Sequence, residues 1–131
     1  MALQQLTGTL KVLIVDDHEL TRLTLKLLIA KQPFVSFVLE AMNGSHAIAQ
    51  VEKYVPDIIL MDLHMPVMDG WTASQKIRQE FPHIKIIAYS AVETRHLQHL
   101  LDQGIIDAFC DKAICSEQIL GSLRAMCRNL N

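Results

Sequence analysis

The sequence predicts an α/β fold, a doubly wound parallel sheet made of five successive βα units. Three observations predict it. Short runs rich in Val, Ile and Leu alternate with stretches of helical periodicity along residues 10–131. The runs at 57–61 and 84–89 are almost continuously apolar, the pattern of strands covered by helices on both faces. Polar residues then stand where the runs stop, and α/β sheets bind their ligands beyond the carboxyl ends of their strands. A length of 131 residues fits one domain. That domain spans 10–131, preceded by an extension at 1–9.

The first strand is expected at 11–16, running into Asp16-Asp17. Leu20, Leu23, Thr24, Leu27 and Leu28 then form the stripe of the first helix. The second strand, 34–40, mixes polar and apolar residues, which suits a sheet edge. Ala47, Ile48, Val51 and Val55 mark the second helix. The third strand, 57–62, ends on Asp62, and Trp71, Ala73 and Ile77 mark the helix after it. The fourth, 84–90, ends on Ser90; Leu97, Leu100 and Leu101 follow on a helix that Gly104 stops. The fifth, 105–110, leads to Lys112. The last helix carries Ile119, Leu123, Met126, Cys127 and Leu130, with Ser116 as its N-cap and Gln118 close behind.

Composition excludes several classes of function. Half of the residues are hydrophobic and 20% are charged, as in ordinary globular proteins. A net charge of −2 and a pI near 6.3 provide no basic field for nucleic acid. No apolar stretch approaches the roughly 20 residues that span a bilayer, and Met1-Ala2-Leu3-Gln4-Gln5 lacks the features of a signal peptide. No membrane partner and a cytoplasmic location are therefore expected. Cys110, Cys115 and Cys127 form neither a CxxC nor an even-numbered framework and read as reduced thiols.

The strand ends carry the chemistry. Asp16, Asp17 and Asp62, gathered at one end of a sheet, would repel one another and bind protons more tightly unless a cation offset their charge. Oxygen donors favour Mg2+, which takes one or two carboxylates and keeps several waters. Lys112 adds a positive charge and Ser90 a hydroxyl. Such a set suits a phosphoryl group carried on a carboxylate, with cations neutralising its oxygens and an Asp as nucleophile. Singly, the residues also have ordinary structural readings: Asp17 could cap the following helix, and Ser90 could be a loop hydroxyl.

The segments Val15-Asp16-Asp17, Met61-Asp62-Leu63-His64-Met65-Pro66-Val67-Met68-Asp69-Gly70, Ala88-Tyr89-Ser90-Ala91 and Phe109-Cys110-Asp111-Lys112 resemble the receiver domain of two-component response regulators. Ala41, Asn43-Gly44 and Ala47 fit the same pattern, and the resemblance covers about residues 10–130. It implies a flavodoxin-like (βα)5 sheet with strand order 2-1-3-4-5. It also implies a phosphoryl group accepted from a sensor histidine kinase or phosphotransfer protein. On that resemblance Asp62 is the phosphoacceptor. Asp17 binds Mg2+ directly, Asp16 mostly through water, and Asp62 and the backbone carbonyl of His64 are further ligands. Ser90 and Lys112 contact the phosphoryl oxygens. Ser90 and Phe109 form a switch that reshapes the surface of helix 4, strand 5 and helix 5. The side chain of His64, and Val92, tune the lifetime of the phosphoryl group.

Two positions depart from the family pattern. Ala113 follows Lys112 where many receivers have Pro, and Phe109 replaces the more frequent Tyr, removing a hydroxyl. Receivers attached to LuxR-type helix-turn-helix domains commonly lack that Pro, and Asp16-Asp17-His18-Glu19-Leu20-Thr21-Arg22 is similar to that subgroup. The likeness implies control of transcription, with DNA bound only through an output domain outside these 131 residues and possible homodimerisation on phosphorylation. A stand-alone receiver or phosphorelay protein, signalling through its own surface, is the alternative. In either case the chain is a switch that catalyses its own phosphotransfer and dephosphorylation, not a metabolic enzyme.

A Mg2+-dependent phosphatase acting through an aspartyl-phosphate is a competing class. Such enzymes want a second carboxylate two residues after the nucleophile, where this chain has His64. A flavin-binding module would need a hydroxyl- or Gly-rich phosphate loop after the first strand, and none is present. His18 reads as the start of the first helix. His96 and His99 read as a solvated face, and Trp71 as helix packing.

Overall fold

The computed structural model describes residues 9–65, 68–90, 94–111 and 115–130. The elements run β1 (Leu10–Val15), α1 (Glu19–Ala30), β2 (Val35–Ala41), α2 (Gly44–Tyr54), β3 (Ile58–Asp62), α3 (Gly70–Glu80), β4 (Lys85–Ser90), α4 (Thr94–Asp102), β5 (Ala108–Asp111) and α5 (Cys115–Leu130). All neighbouring strands pair in parallel, in the order β2-β1-β3-β4-β5. This is the flavodoxin-like (βα)5 sheet that the sequence predicts, and its mixed strand, β2, lies at an edge.

Alternation along the strands builds two apolar layers. Leu13, Val15, Ile59, Met61, Ile86 and Ala88 face α2, α3 and α4, where Ala47, Val51, Ala73, Ile77, Leu97 and Leu100 meet them. Val12, Ile14, Ile58, Leu60, Ile87 and Tyr89 face the other way, against Leu25 and Ile29 of α1 and Ile119 and Leu123 of α5. Each fully buried aliphatic side chain contributes about 1.5–3 kcal/mol of transfer free energy. A one-residue slip of any central strand would exchange the two sets. The layers therefore fix which strand-end residues emerge together.

Three expected details differ from the structure. The first is the face of α1. Leu25 and Ile29 are buried, whereas Leu20 is 77%, Leu23 46% and Leu27 56% exposed. The helix is apolar nearly all round, so periodicity alone does not choose its buried side. Ion pairs choose it: Arg22 Nε and Lys26 Nζ lie 3.1 and 2.9 Å from the Glu40 carboxylate on β2.

The second is β5, which begins at Ala108 and not at 105. Ile105 and Ile106 are taken by the end of α4. There Gly104, at φ 73°, donates to Leu101 O and Ile105 donates to Leu100 O, a Schellman closure. The third concerns two helix ends. Val55 is an exposed left-handed cap of α2 at φ 45°, not a stripe residue. Ser116 lies inside the first turn of α5, which starts at Cys115, two residues earlier than an N-cap at Ser116 implies.

Polar latches hold the amino ends of the strands. Asp57 Oδ2 accepts from Lys11 N at 2.8 Å, and Asp107 Oδ2 from Ile86 N at 2.8 Å. Arg78 of α3 binds that same Asp107 at 2.7 Å and donates to the carbonyls of Ile84, Pro82 and Ile105 at 2.7, 2.9 and 3.2 Å. At the opposite end, the chain leaving β3 returns so closely that a Cβ on Gly70 would stand 2.2 Å from Asp62 O. Gly121, in α5, has nothing within 4 Å of such a Cβ.

Two stability predictions result. Arg78→Ala should lower the unfolding free energy by about 2–3 kcal/mol, because several carbonyls and Asp107 lose one shared donor. Arg78→Lys should recover less than half of that in urea titrations. Gly70→Ala should destabilise by about 1–3 kcal/mol through overpacking against backbone. Gly121→Ala should instead stabilise by about 0.5–1 kcal/mol through helix propensity. Equal effects at the two glycines would contradict the close approach of α3 to Asp62.

Candidate functional site

β1 and β3 are adjacent, so their carboxyl ends deliver Asp16, Asp17 and Asp62 side by side. One ligand atom from each of these, and one from His18, all lie within 4.8 Å of one another. Asp16 and Asp62 are 0% and 1% exposed. Carboxylates so buried need donors, and the local chain supplies them. Asp16 Oδ1 accepts from His18 N at 2.8 Å, and Asp62 Oδ1 from His64 N at 3.1 Å. In each case the backbone turns back over the strand's last carboxylate two residues on.

Asp16 is held from the opposite side as well. The hydroxyl of Tyr89, on β4, donates to Asp16 Oδ2 at 2.7 Å from full burial, with Val15 O at 3.3 Å. Its backbone oxygen accepts from Arg22 Nη1 at 2.8 Å. Arg22 is fixed in turn by Glu40, whose carboxyl is held below its ordinary range by Lys26 first and Arg22 second. Asp17 contrasts with this. Its Oδ1 is shielded from solvent and accepts no hydrogen bond among the described residues. His18 Nδ1 is 3.2 Å away, close enough for attraction without hydrogen-bond alignment.

The expected site residues stand as follows. Asp16, Asp17 and Asp62 are brought together. Asp17 does not cap α1, whose N-cap position is His18. Ser90 closes β4, is 2% exposed, and is paired in register with Asp111. By alternation it belongs to the α2–α4 side, as do Ala88 and Ile86. Phe109 packs on that side too, opposite Ala88 in the ladder. The side chain of His64 is exposed at the rim. Lys112 and Val92 lie outside the described residues, as do Ala113 and the side chain of His96.

Sequence reasoning missed one member of the site, Tyr89, and set aside another, His18, as the start of the first helix. Tyr89 is the residue before Ser90, and its place in an apolar run hid its hydroxyl. Period-two alternation from Ile87 puts it on the Asp16 side, which was the available signal. His18 follows the acidic pair directly, and adjacency alone pointed to it.

An arrangement of three carboxylates, two of them gripped and one with a buried oxygen that has no hydrogen bond among the described residues, is suited to holding a hard cation. The donor set is mostly oxygen, and Asp16's orientation is fixed by the protein before any ion binds.

The family model described as response regulator receiver domain matches residues 12–124. Response regulator protein VraR of Staphylococcus aureus is 35% identical over 121 residues, which cover 92% of this chain and 57% of VraR. The chain thus spans little more than half the length of this relative. Among solved structures, a LuxR-family two-component response regulator from Aurantimonas superposes with a TM-score of 0.84 at 23% identity, covering 93% of this chain and 87% of that one. The response regulator domain of Thermotoga maritima CheB gives 0.81 at 25% identity, covering 91% and 96%. These structures share the fold, and the sequence match carries the kinship. The chain belongs to the response regulator receiver domain family of two-component systems.

Proposed function

We propose that the chain accepts a phosphoryl group on Asp62 from a phosphohistidine of a sensor histidine kinase or phosphotransfer protein. The observation that carries this reading is the cluster itself: Asp62 is buried within 4.8 Å of Asp16 and Asp17, and Asp17 keeps a shielded oxygen that accepts no hydrogen bond among the described residues. Mg2+ fits that donor set, with Asp17, Asp62 and the His64 carbonyl as ligands and Asp16 acting through water. When bound, it would supply positive charge to phosphoryl oxygens. An oxygen of Asp62 attacks phosphorus, the phosphorus–nitrogen bond of the donor breaks, and its electron pair leaves with the imidazole. Ser90 and Lys112 are assigned to the transferred oxygens. The buried Asp16–Tyr89 bond keeps Asp16 from turning toward the incoming group.

Ser90 and Phe109 lie on one side of the sheet, which supports their reading as a coupled pair acting on α4, β5 and α5. The transferred group brings about two negative charges and new acceptors, shifting a population between two packings. His64 and Val92 are assigned to its lifetime. The exposed Leu20, Leu23 and Leu27 begin one helical turn from the acidic pair and offer an apolar stripe to a phosphodonor protein. The resemblance of Asp16-Asp17-His18-Glu19-Leu20-Thr21-Arg22 to receivers attached to LuxR-type domains supports output through DNA binding by a domain outside these residues, in the cytoplasm and with homodimerisation on phosphorylation. The chain is then a switch whose only catalysis is its own phosphotransfer and dephosphorylation.

Two tests are direct. Incubation with acetyl phosphate and Mg2+ should add about one phosphoryl group per chain by intact mass, and none to Asp62→Asn or with excess chelator. Labelling of Asp62→Asn equal to wild type would overturn the assignment. Tyr89→Phe should stay folded, lose about 1–3 kcal/mol of stability, and label several-fold more slowly at subsaturating Mg2+. Unchanged labelling would remove Tyr89 from the site.

A further inference from the structure

His18 has no part in the chemistry so far, yet its ring is not placed as a surface side chain would be. It occupies the N-cap position of α1 without making a side-chain cap bond. Although 63% of the side chain is exposed, Nδ1 turns inward, 3.1 Å from Asp16 Oδ1 and 3.2 Å from Asp17 Oδ1. Adjacent donors on a single ion with bonds of about 2.1 Å stand roughly 3 Å apart. Nδ1 already has that spacing to an oxygen of each carboxylate, and one ligand atom from each of Asp16, Asp17, His18 and Asp62 lies within 4.8 Å of the others. Asp17 Oδ1 accepts no hydrogen bond among the described residues, so an ion would satisfy it.

We propose that His18 is a ligand of the cation site through Nδ1, and that this mixed nitrogen–oxygen set favours a divalent transition-metal ion over Mg2+. Imidazole nitrogen suits transition metals, whereas carboxylate and water suit Mg2+. Facing carboxylates that can only accept, Nδ1 carries the ring hydrogen in the metal-free state. On binding, its lone pair goes to the ion, and the hydrogen is carried on the solvent-facing Nε2 after exchange with water. The inference rests on the cation-site reading of Asp16, Asp17 and Asp62, and adds a fourth residue and a metal preference to it.

The test uses the whole 131-residue chain, with Mg2+ and Mn2+ as probes and no phosphodonor. Calorimetric titration of wild type and His18→Ala gives the ratio of the two affinities, and pulsed electron paramagnetic resonance of the Mn2+-loaded protein detects a directly bound nitrogen. Wild type should show nitrogen coupling that His18→Ala lacks. The substitution should lower the Mn2+-to-Mg2+ affinity ratio on the order of tenfold, mostly through Mn2+. Binding of both ions with no nitrogen coupling and an unchanged ratio overturns the role of His18 while leaving the carboxylate site intact. Failure of wild type to bind either ion overturns the carboxylate site, and this inference with it.

Discussion

The structure depends on holding two carboxyl groups in a place where burial opposes charge. Asp16 and Asp62 stand at the ends of neighbouring strands with almost no solvent. Desolvation and mutual repulsion both favour their neutral forms. Each is met by the amide of the residue two positions on, His18 for Asp16 and His64 for Asp62. Those amides arrive only if the chain turns sharply after each strand. The turn after β3 requires Gly70, since any Cβ there would collide with the carbonyl of Asp62. A second constraint comes from Gly44, whose amide donates to Met68 O at 2.9 Å and whose Cβ would meet that atom at 2.6 Å. The two glycines let α2, α3 and the loop between β3 and α3 close around the acidic end of the sheet.

The two ends of the sheet use similar groups for different purposes. At the amino ends, Asp57 and Asp107 accept backbone amides of adjacent strands, and Arg78 gathers three carbonyls and Asp107. Every polar atom named there is matched to a partner, which is how a sheet closes its edges at little risk. At the carboxyl ends the matching is incomplete among the described residues, where one Asp17 oxygen has no hydrogen bond. Among the described residues, that difference makes the carboxyl ends the place in this sheet suited to a ligand.

The fold was legible because the strands are buried on both sides, so their runs are long, apolar and bounded. The carboxylate cluster was legible for the same reason, since charge at the end of such a run is conspicuous. The buried side of α1 was not. Leucines surround that helix, and the choice was made by Arg22 and Lys26 reaching Glu40 from another strand, a contact 14 to 18 residues away in sequence. The start of β5 was hidden because Ile105 and Ile106 look like strand but close the α4 cap. Tyr89 was hidden by burial, as its hydroxyl finds Asp16 some 73 residues distant.

Tyr89 also bears on how a change at Asp62 could travel. β4 is two strands from β1, with β3 between them, so the Tyr89–Asp16 bond spans the strand that carries Asp62. It ties the carboxyl ends of three strands into one unit, and a charge-assisted bond made in full burial is among the stronger of its kind. Moving β4 would break it and strand both partners in an apolar layer. The next residue, Ser90, belongs by alternation to the other layer, against which Phe109 packs while only partly buried. Asp62 therefore stands beside a strand frame tied on one face by Tyr89 and Asp16, with Ser90 and Phe109 on the other. On the proposed reading, in which a phosphoryl group on Asp62 starts the response, turning side chains on the Ser90–Phe109 side costs less than moving strands that share the Tyr89–Asp16 bond. Phe at 109, where the family more often has Tyr, has no hydroxyl to hold either position.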